Sequence, residues 1–122
     1  MGIFLWGGGI TFGGSNVGPI GCKQITLYNH RSAKFKTNIT GSNRYPFFAV
    51  VTSQQTTTNS PVSVFAFVAE SKSVIKICGN GSLTYDSSTD IWTLDSGTDQ
   101  TWGSYMVFGI PSSLELFTVI TQ

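Results

Sequence analysis

Phe47-Phe48-Ala49-Val50-Val51 is apolar at every position, and this run constrains the fold more than any other feature of the chain. Successive side chains of a strand point to opposite faces, so an apolar run without polar alternation is expected to bury both. The run is too short for a buried helix and belongs at the centre of a sheet. Val62 to Val68 reads as a second buried strand, with Val64, Ala66 and Val68 on one side and Phe65 and Phe67 on the other. No segment sustains an apolar period of 3.6, and glycines and β-branched residues are dense throughout, which disfavours helix. Short apolar runs alternate with turn clusters, the pattern of a β-sandwich or barrel. The expectation is an all-β antiparallel β-sandwich of about eight to ten short strands, one domain spanning residues 1–122.

The remaining strands follow from local pattern. Ile3 to Trp6, a Gly7-Gly8-Gly9 turn and Ile10-Thr11-Phe12 read as an opening hairpin, followed by a loop from Gly13 to Pro19. Lys23 to Tyr28 alternates, with Ile25 and Leu27 on one face. Asn29 to Ser32 turns the chain, and Ala33 to Ile39 returns it. Gly41 to Pro46 is a loop, and Ser53 to Pro61 is a polar, threonine-rich one. Ser73 to Cys78 is a strand with Val74 inward and Ile75 and Ile77 as further inward candidates. Gly79-Asn80-Gly81 is a hairpin turn, because Asn-Gly supports positive φ. Ser82 to Tyr85, Ile91 to Leu94, Ser104 to Ile110 and Leu114 to Ile120 complete the set.

Charged residues make up only 11% of the chain, against about 25% in an average soluble domain. Ser, Thr, Asn, Gln and Gly must cover the surface instead. Extracellular and particle-bound β proteins carry such surfaces, which can also be buried against partner subunits; a small neutral domain is the plainer reading. Net charge is +1, so overall charge points to neither nucleic acid nor membrane. Its distribution is uneven. Residues 1–60 carry Lys23, Arg31, Lys34, Lys36 and Arg44 and no acid, net +5, whereas residues 61–122 are net −4. Either the halves pair within one fold, or a positive face of one copy meets a negative face of the next. Cys22 and Cys78 have no CxxC or histidine companions, which argues against zinc. Two buried free thiols are the expected state, with a disulfide as the alternative. The start, Met1 to Trp6, lacks the basic region and length of a signal peptide or membrane span.

The one histidine, His30, lies in an Asn-His-Arg turn, and no Gly-x-Ser-x-Gly elbow is present. Gly7 to Gly14 leads into loop and strand, not into the helix N-terminus a phosphate loop needs. Asp86, Asp90, Asp95 and Asp99 fall within one segment, and their hard oxygens suit calcium better than glycoside hydrolysis. EF-hand spacing is missing, so solvated turn carboxylates are the simpler reading. Trp6, Trp92, Trp102, Tyr45 and Tyr105 are candidates for sugar stacking or for core and interface packing. Single-stranded nucleic acid requires aromatics interleaved with Lys or Arg, and here the basic residues lie in the other half of the chain from Trp92 and Trp102.

Gly2-Ile3-Phe4-Leu5-Trp6 leads through glycines to Ile10-Thr11-Phe12. Tyr45-Pro46-Phe47-Phe48-Ala49-Val50-Val51 and Val62-Ser63-Val64-Phe65-Ala66-Phe67 follow, and the chain closes on Trp102 to Ile110. In pattern this resembles small tail-associated virion proteins of tailed bacteriophages, β-sandwich proteins that begin with a short Gly-apolar strand and end with an aromatic-rich one. Val107-Phe108-Gly109-Ile110 sits in the matching place. The resemblance carries over no catalytic residue. It implies a virion protein at a tail tip, fibre or decoration position, with other tail proteins as partners.

The resulting expectation is an assembly protein of a phage virion, not an enzyme, without cofactor, metal, nucleic acid or membrane insertion. A homo-oligomer is expected. Its docking elements would be the glycine-rich N-terminus, the Gln54–Pro61 loop and the Asp86–Asp99 segment. The alternative is a module binding carbohydrate or a host receptor, with a surface glycan as partner. Trp92, Trp102, Tyr105, Asp90 and Asp95 are the candidate ligand or interface residues.

Overall fold

The computed structural model describes residues 11–12, 15–16, 21–38, 45–54, 61–99, 101–109 and 115–118. Their strands are β1 (Thr11–Phe12), β2 (Ser15–Asn16), β3 (Gly21–Tyr28), β4 (Ser32–Lys36), β5 (Pro46–Gln54) and β6 (Val62–Val68). They continue with β7 (Ser73–Cys78), β8 (Ser82–Asp86), β9 (Ile91–Asp95), β10 (Trp102–Gly109) and β11 (Glu115–Thr118). Among the described residues there is no helix. Every pairing is antiparallel. A five-stranded sheet runs β3-β10-β5-β6-β7 and a four-stranded sheet runs β11-β4-β9-β8, with β1 and β2 forming a ribbon of their own. The chain is an all-β antiparallel sandwich, as expected.

The two long sheets enclose an aromatic core. Trp92 of β9 sits at its middle. Its ring lies 4.5 Å from Phe67 on the opposite sheet, 4.9 Å from Tyr85 and 6.2 Å from Phe35, centroid to centroid. Phe67 also stacks on Phe47 at 5.5 Å. Such offset and tilted pairs add to the area each ring removes from water. From the five-stranded sheet the inward positions are Leu27, Phe47, Ala49, Val51, Phe65, Phe67, Tyr105 and Val107, all buried. The period of two that a half-buried strand requires is kept in β4, β6, β9 and β10.

One end of the sandwich is closed by buried serines. Ser63 Oγ accepts the backbone N–H of Gly81 at 2.9 Å, and Ser96 Oγ donates to the Thr98 carbonyl at 2.7 Å. Ser53 N–H donates to the Pro61 carbonyl at 2.9 Å. Polar groups at this depth need partners, and the turn backbones supply them. Gly79 at the same end has φ +95, and a side chain there would run into the Val62 carbonyl oxygen and Ser63 Cα. Gly97, at φ +83, similarly faces the Asn80 carbonyl. Glycine is required at both places by conformation and by space.

Several expectations are corrected. Gly79-Asn80-Gly81 is no hairpin turn: β7 and β8 belong to different sheets, so the segment carries the chain from one layer to the other. The loop expected from Gly13 to Pro19 contains β2, paired to β1. All six residues of β7 are exposed, Val74, Ile75 and Ile77 included, where inward burial was expected. The cause is a mismatch in sheet width. Across the sandwich β11 lies against β3 and β9 against β5, so β7 falls beyond the edge of the four-stranded sheet. Cys22 is half-buried and Cys78 exposed, both free thiols. They stand on the two edge strands of one sheet, four strand spacings or roughly 19 Å apart, too far for a disulfide within the chain. Burial pushes the Cys22 thiol up from its ordinary value. The opening strand Ile3 to Trp6 and its glycine turn lie outside the described residues.

Candidate functional site

The two outer faces of the sandwich differ. On the four-stranded sheet the outward positions include Lys34 and Lys36 of β4, Asp95 of β9 and Asp86 of β8, and Glu115 stands opposite Lys36 in the register. Arg31 Nε reaches Asp95 Oδ1 at 3.1 Å and its Nη1 lies 3.8 Å from Asp99. The basic first half and acidic second half of the chain therefore meet inside this sheet, with β4 between β9 and β11. Among the described residues, the uneven charge along the sequence does not separate into one positive and one negative face.

The outer face of the five-stranded sheet is of another kind. In β5 it presents Pro46, Phe48, Val50 and Thr52, and in β6 Val62, Val64, Ala66 and Val68. The outward positions of β10 are Trp102, Ser104, Met106 and Phe108, which pair with Tyr28, Thr26, Gln24 and Cys22 of β3. β7 adds Ser73, Ile75 and Cys78. No position on this face, among the described residues, carries a charge. Phe48 and Phe108 stack across neighbouring strands at 5.5 Å. Ile75 is 67% exposed, Tyr28 67% and Trp102 37%. Burying both faces of Phe47 to Val51 was the expectation. Phe47, Ala49 and Val51 are buried, whereas Phe48 and Val50 are only half-buried. An antiparallel sheet with one solvated face normally alternates apolar with polar. Here β5 and β6 have the composition of strands covered on both sides, yet their outer positions are only half-buried or exposed.

The candidate residues fall into three groups. Trp92 is 1% exposed and Tyr105 is fully buried, both rings turned into the core. Tyr105 Oη donates to the His30 carbonyl at 2.9 Å. Neither ring has a face to offer a ligand, which corrects their place among the surface candidates. Trp102 and the sugar-stacking candidate Tyr45 reach the surface, Trp102 directly opposite Tyr28 and beside Gln54 in the register. Nearby, Gln24 Nε2 donates to Ser104 Oγ at 2.8 Å. The carboxylates build turns. Asp86 Oδ1 accepts Ser88 N–H at 2.9 Å and Ser88 Oγ–H at 2.7 Å, which holds its carboxyl below the ordinary value. Asp90, at φ 60, accepts the Tyr85 hydroxyl at 2.7 Å, and that bond raises the phenol's pKa. Asp95 Oδ1 accepts Gly97 N–H at 2.7 Å as well as Arg31. Asp86 and Asp90 flank one end of β9 and Asp95 the other, roughly 15 Å apart along the strand. They form two turns and not one converging site. Among the described residues no three metal-ligating side chains come together.

Of the docking elements expected from sequence, the N-terminal glycines and residues 55–60 lie outside the described residues. The uncharged face was missed. Its signal was present in the absence of alternation in Phe47 to Val51, which was read as burial within the fold alone.

No protein-family model matches the chain, and no curated protein matches it. Among solved structures, the crystal structure of the tailspike protein of Acinetobacter phage vB_ApiP_P1 is similar, with a TM-score of 0.45 and 9% sequence identity. The match covers 78% of this chain, which spans 22% of the tailspike chain. A likeness this shallow bears on neither homology nor function.

Proposed function

We propose that this chain is a structural protein of a tailed-phage particle, working by protein–protein assembly through the outer face of its five-stranded sheet. One observation carries the reading: β5 and β6 are apolar on both sides, and the side not buried by the fold has no charge among the described residues. Contiguous apolar surface of this kind on a soluble domain marks an interaction site. The opposite face, with Lys34, Lys36, Asp86 and Asp95, supplies solubility. The phage setting rests on the sequence pattern from Gly2 to Ile110. The experiment is quantitative mass spectrometry of density-purified particles carrying wild-type chain or Val50→Lys. The reading expects the wild type at a fixed copy number beside tail proteins, and a folded Val50→Lys chain lost from the particles. A wild-type chain absent from purified particles refutes it.

A second reading, a glycan-binding module, is favoured by the Trp102–Tyr28 pair. Two exposed rings lie side by side on the sheet among hydroxyl and amide groups, and such a surface stacks on sugar rings. Glycan-array binding abolished by Trp102→Ala and by Tyr28→Ala supports it. Binding that survives both substitutions removes it.

A further inference from the structure

We infer that the outer face of the five-stranded sheet is covered by the same face of a second copy, giving a symmetric dimer of four stacked sheets. The inference rests on the reading of this face as a docking surface and names its occupant.

Size comes first. Five strands of six to nine residues make a patch roughly 24 Å on each side, on the order of 600 Å² in plan. Side-chain relief brings the accessible area close to the roughly 800 Å² per partner of a standard interface. The face is large enough for a stable dimer and is filled by a partner of the same width.

Charge comes second. A surface that meets its own copy about a twofold axis brings like against like, so any charge near the axis faces itself. Phe48, Val50, Val64 and Met106, which occupy the middle of this face, create no such conflict. A different protein would ordinarily be selected by charge complementarity, and this face offers none among the described residues. Two copies of one sheet share the same twist, and twisted sheets pack face to face at about 30° with side chains interdigitating.

The third observation argues against one competing geometry, strand pairing through the β7 edge. β7 is an open edge, and its exposed Val74, Ile75 and Ile77 would otherwise invite a strand from a second chain. That edge is blunted twice. The register shifts between Val64 and Phe65, leaving Ile77 as an extra residue in a bulge, and Lys76 pairs with Phe65 on the inward side. Bulges and inward-pointing charges are the devices by which sheets refuse edge pairing. The β7 edge is guarded and the face is not, which favours the face over that edge as the seat of the second copy.

The test is sedimentation equilibrium of the full chain over a micromolar concentration series. Wild type is expected at twice the 13.2 kDa chain mass. Val50→Lys, placed outward at the middle of the face, is expected at the monomer mass, its dimer weakened roughly a hundredfold or more. Thr84→Lys, outward on the charged face, is expected to remain dimeric. A wild-type monomer at every micromolar concentration overturns the inference. So does a Val50→Lys dimer that persists, or a dimer abolished by Thr84→Lys alone. The particle experiment above separates the two readings. A monomeric wild type whose incorporation is lost on Val50→Lys assigns the face to another virion protein and leaves the assembly role standing. A dimer that never enters particles leaves the self-contact standing and removes the virion role.

Discussion

Replacing Gly79 with alanine tests how the two layers are joined. The backbone at Gly79 has φ +95, beyond even the left-handed region that other residues visit occasionally. Holding a side-chain-bearing residue there costs about 1–3 kcal/mol. A methyl group would also lie well inside 3.0 Å of the Val62 carbonyl oxygen and of Ser63 Cα, both backbone atoms of β6. Ser63 Oγ could swing aside, but the strand could not. Relieving the contact means displacing the edge of the five-stranded sheet or the Gly81 N–H···Oγ bond, a further cost of about 1 kcal/mol or more. Together the expected loss is about 3 kcal/mol. For 122 residues the unfolding entropy is about 0.26 kcal/mol/K near 60 °C, so Tm should fall by about 12 °C. Differential scanning calorimetry of the wild type and Gly79→Ala reads this directly, with Thr84→Ala as an exposed control expected to shift little. A Gly79→Ala shift below about 2 °C would show that the crossing is neither strained nor tightly packed, refuting the account of that junction.

Two further outcomes concern single bonds. Tyr105→Phe keeps the buried ring but loses the hydroxyl donated to the His30 carbonyl; the denaturant midpoint should fall by the equivalent of about 1 kcal/mol, and an unchanged midpoint would show the bond contributes nothing. Ser88→Ala removes the hydroxyl donor to Asp86 and keeps the backbone N–H, so the Asp86 midpoint followed by carbon NMR should rise toward the ordinary carboxylate value, and a midpoint that stays put rejects the Ser88 hydroxyl as the main cause. The sign for stability follows from the depressed folded value: the contribution of Asp86 is present above its unfolded pKa and is lost as pH falls through its folded one.

Much of the architecture was legible because period and punctuation are local properties. The alternation in Lys23 to Tyr28 and the full apolarity of Phe47 to Val51 and Val62 to Val68 placed three of the five strands of the large sheet. Ser82 to Tyr85 and Ile91 to Leu94 placed β8 and β9. What failed depended on how wide each sheet is. Val74, Ile75 and Ile77 look like core residues in sequence, yet β7 overhangs a sheet one strand narrower. Asn80-Gly81 carries the same hairpin signal whether its flanking strands pair with each other or with different partners, and only the topology separates the two. At the candidate site, Trp92 and Trp102 were indistinguishable by type. β9 points Trp92 between the layers, while Trp102 takes the outward position in β10, at 1% and 37% exposure. That difference is one of strand phase relative to a core defined by distant segments.

The placement of β10 has a consequence for how the chain becomes folded. It is the last strand of the large sheet in sequence but the second in space, inserted between β3 and β5. Until residues 102–109 have been made, β3 has no partner in that sheet, and the inner edge of the β5–β6 hairpin stays open. β11 likewise must reach back to β4. Pairings of such long sequence separation are slow to close. The most apolar strands therefore wait, exposed on edges as well as faces, until β10 has been made and has docked. The interval in which this chain is most liable to aggregate is set by the travel time of β10 to the centre of its sheet.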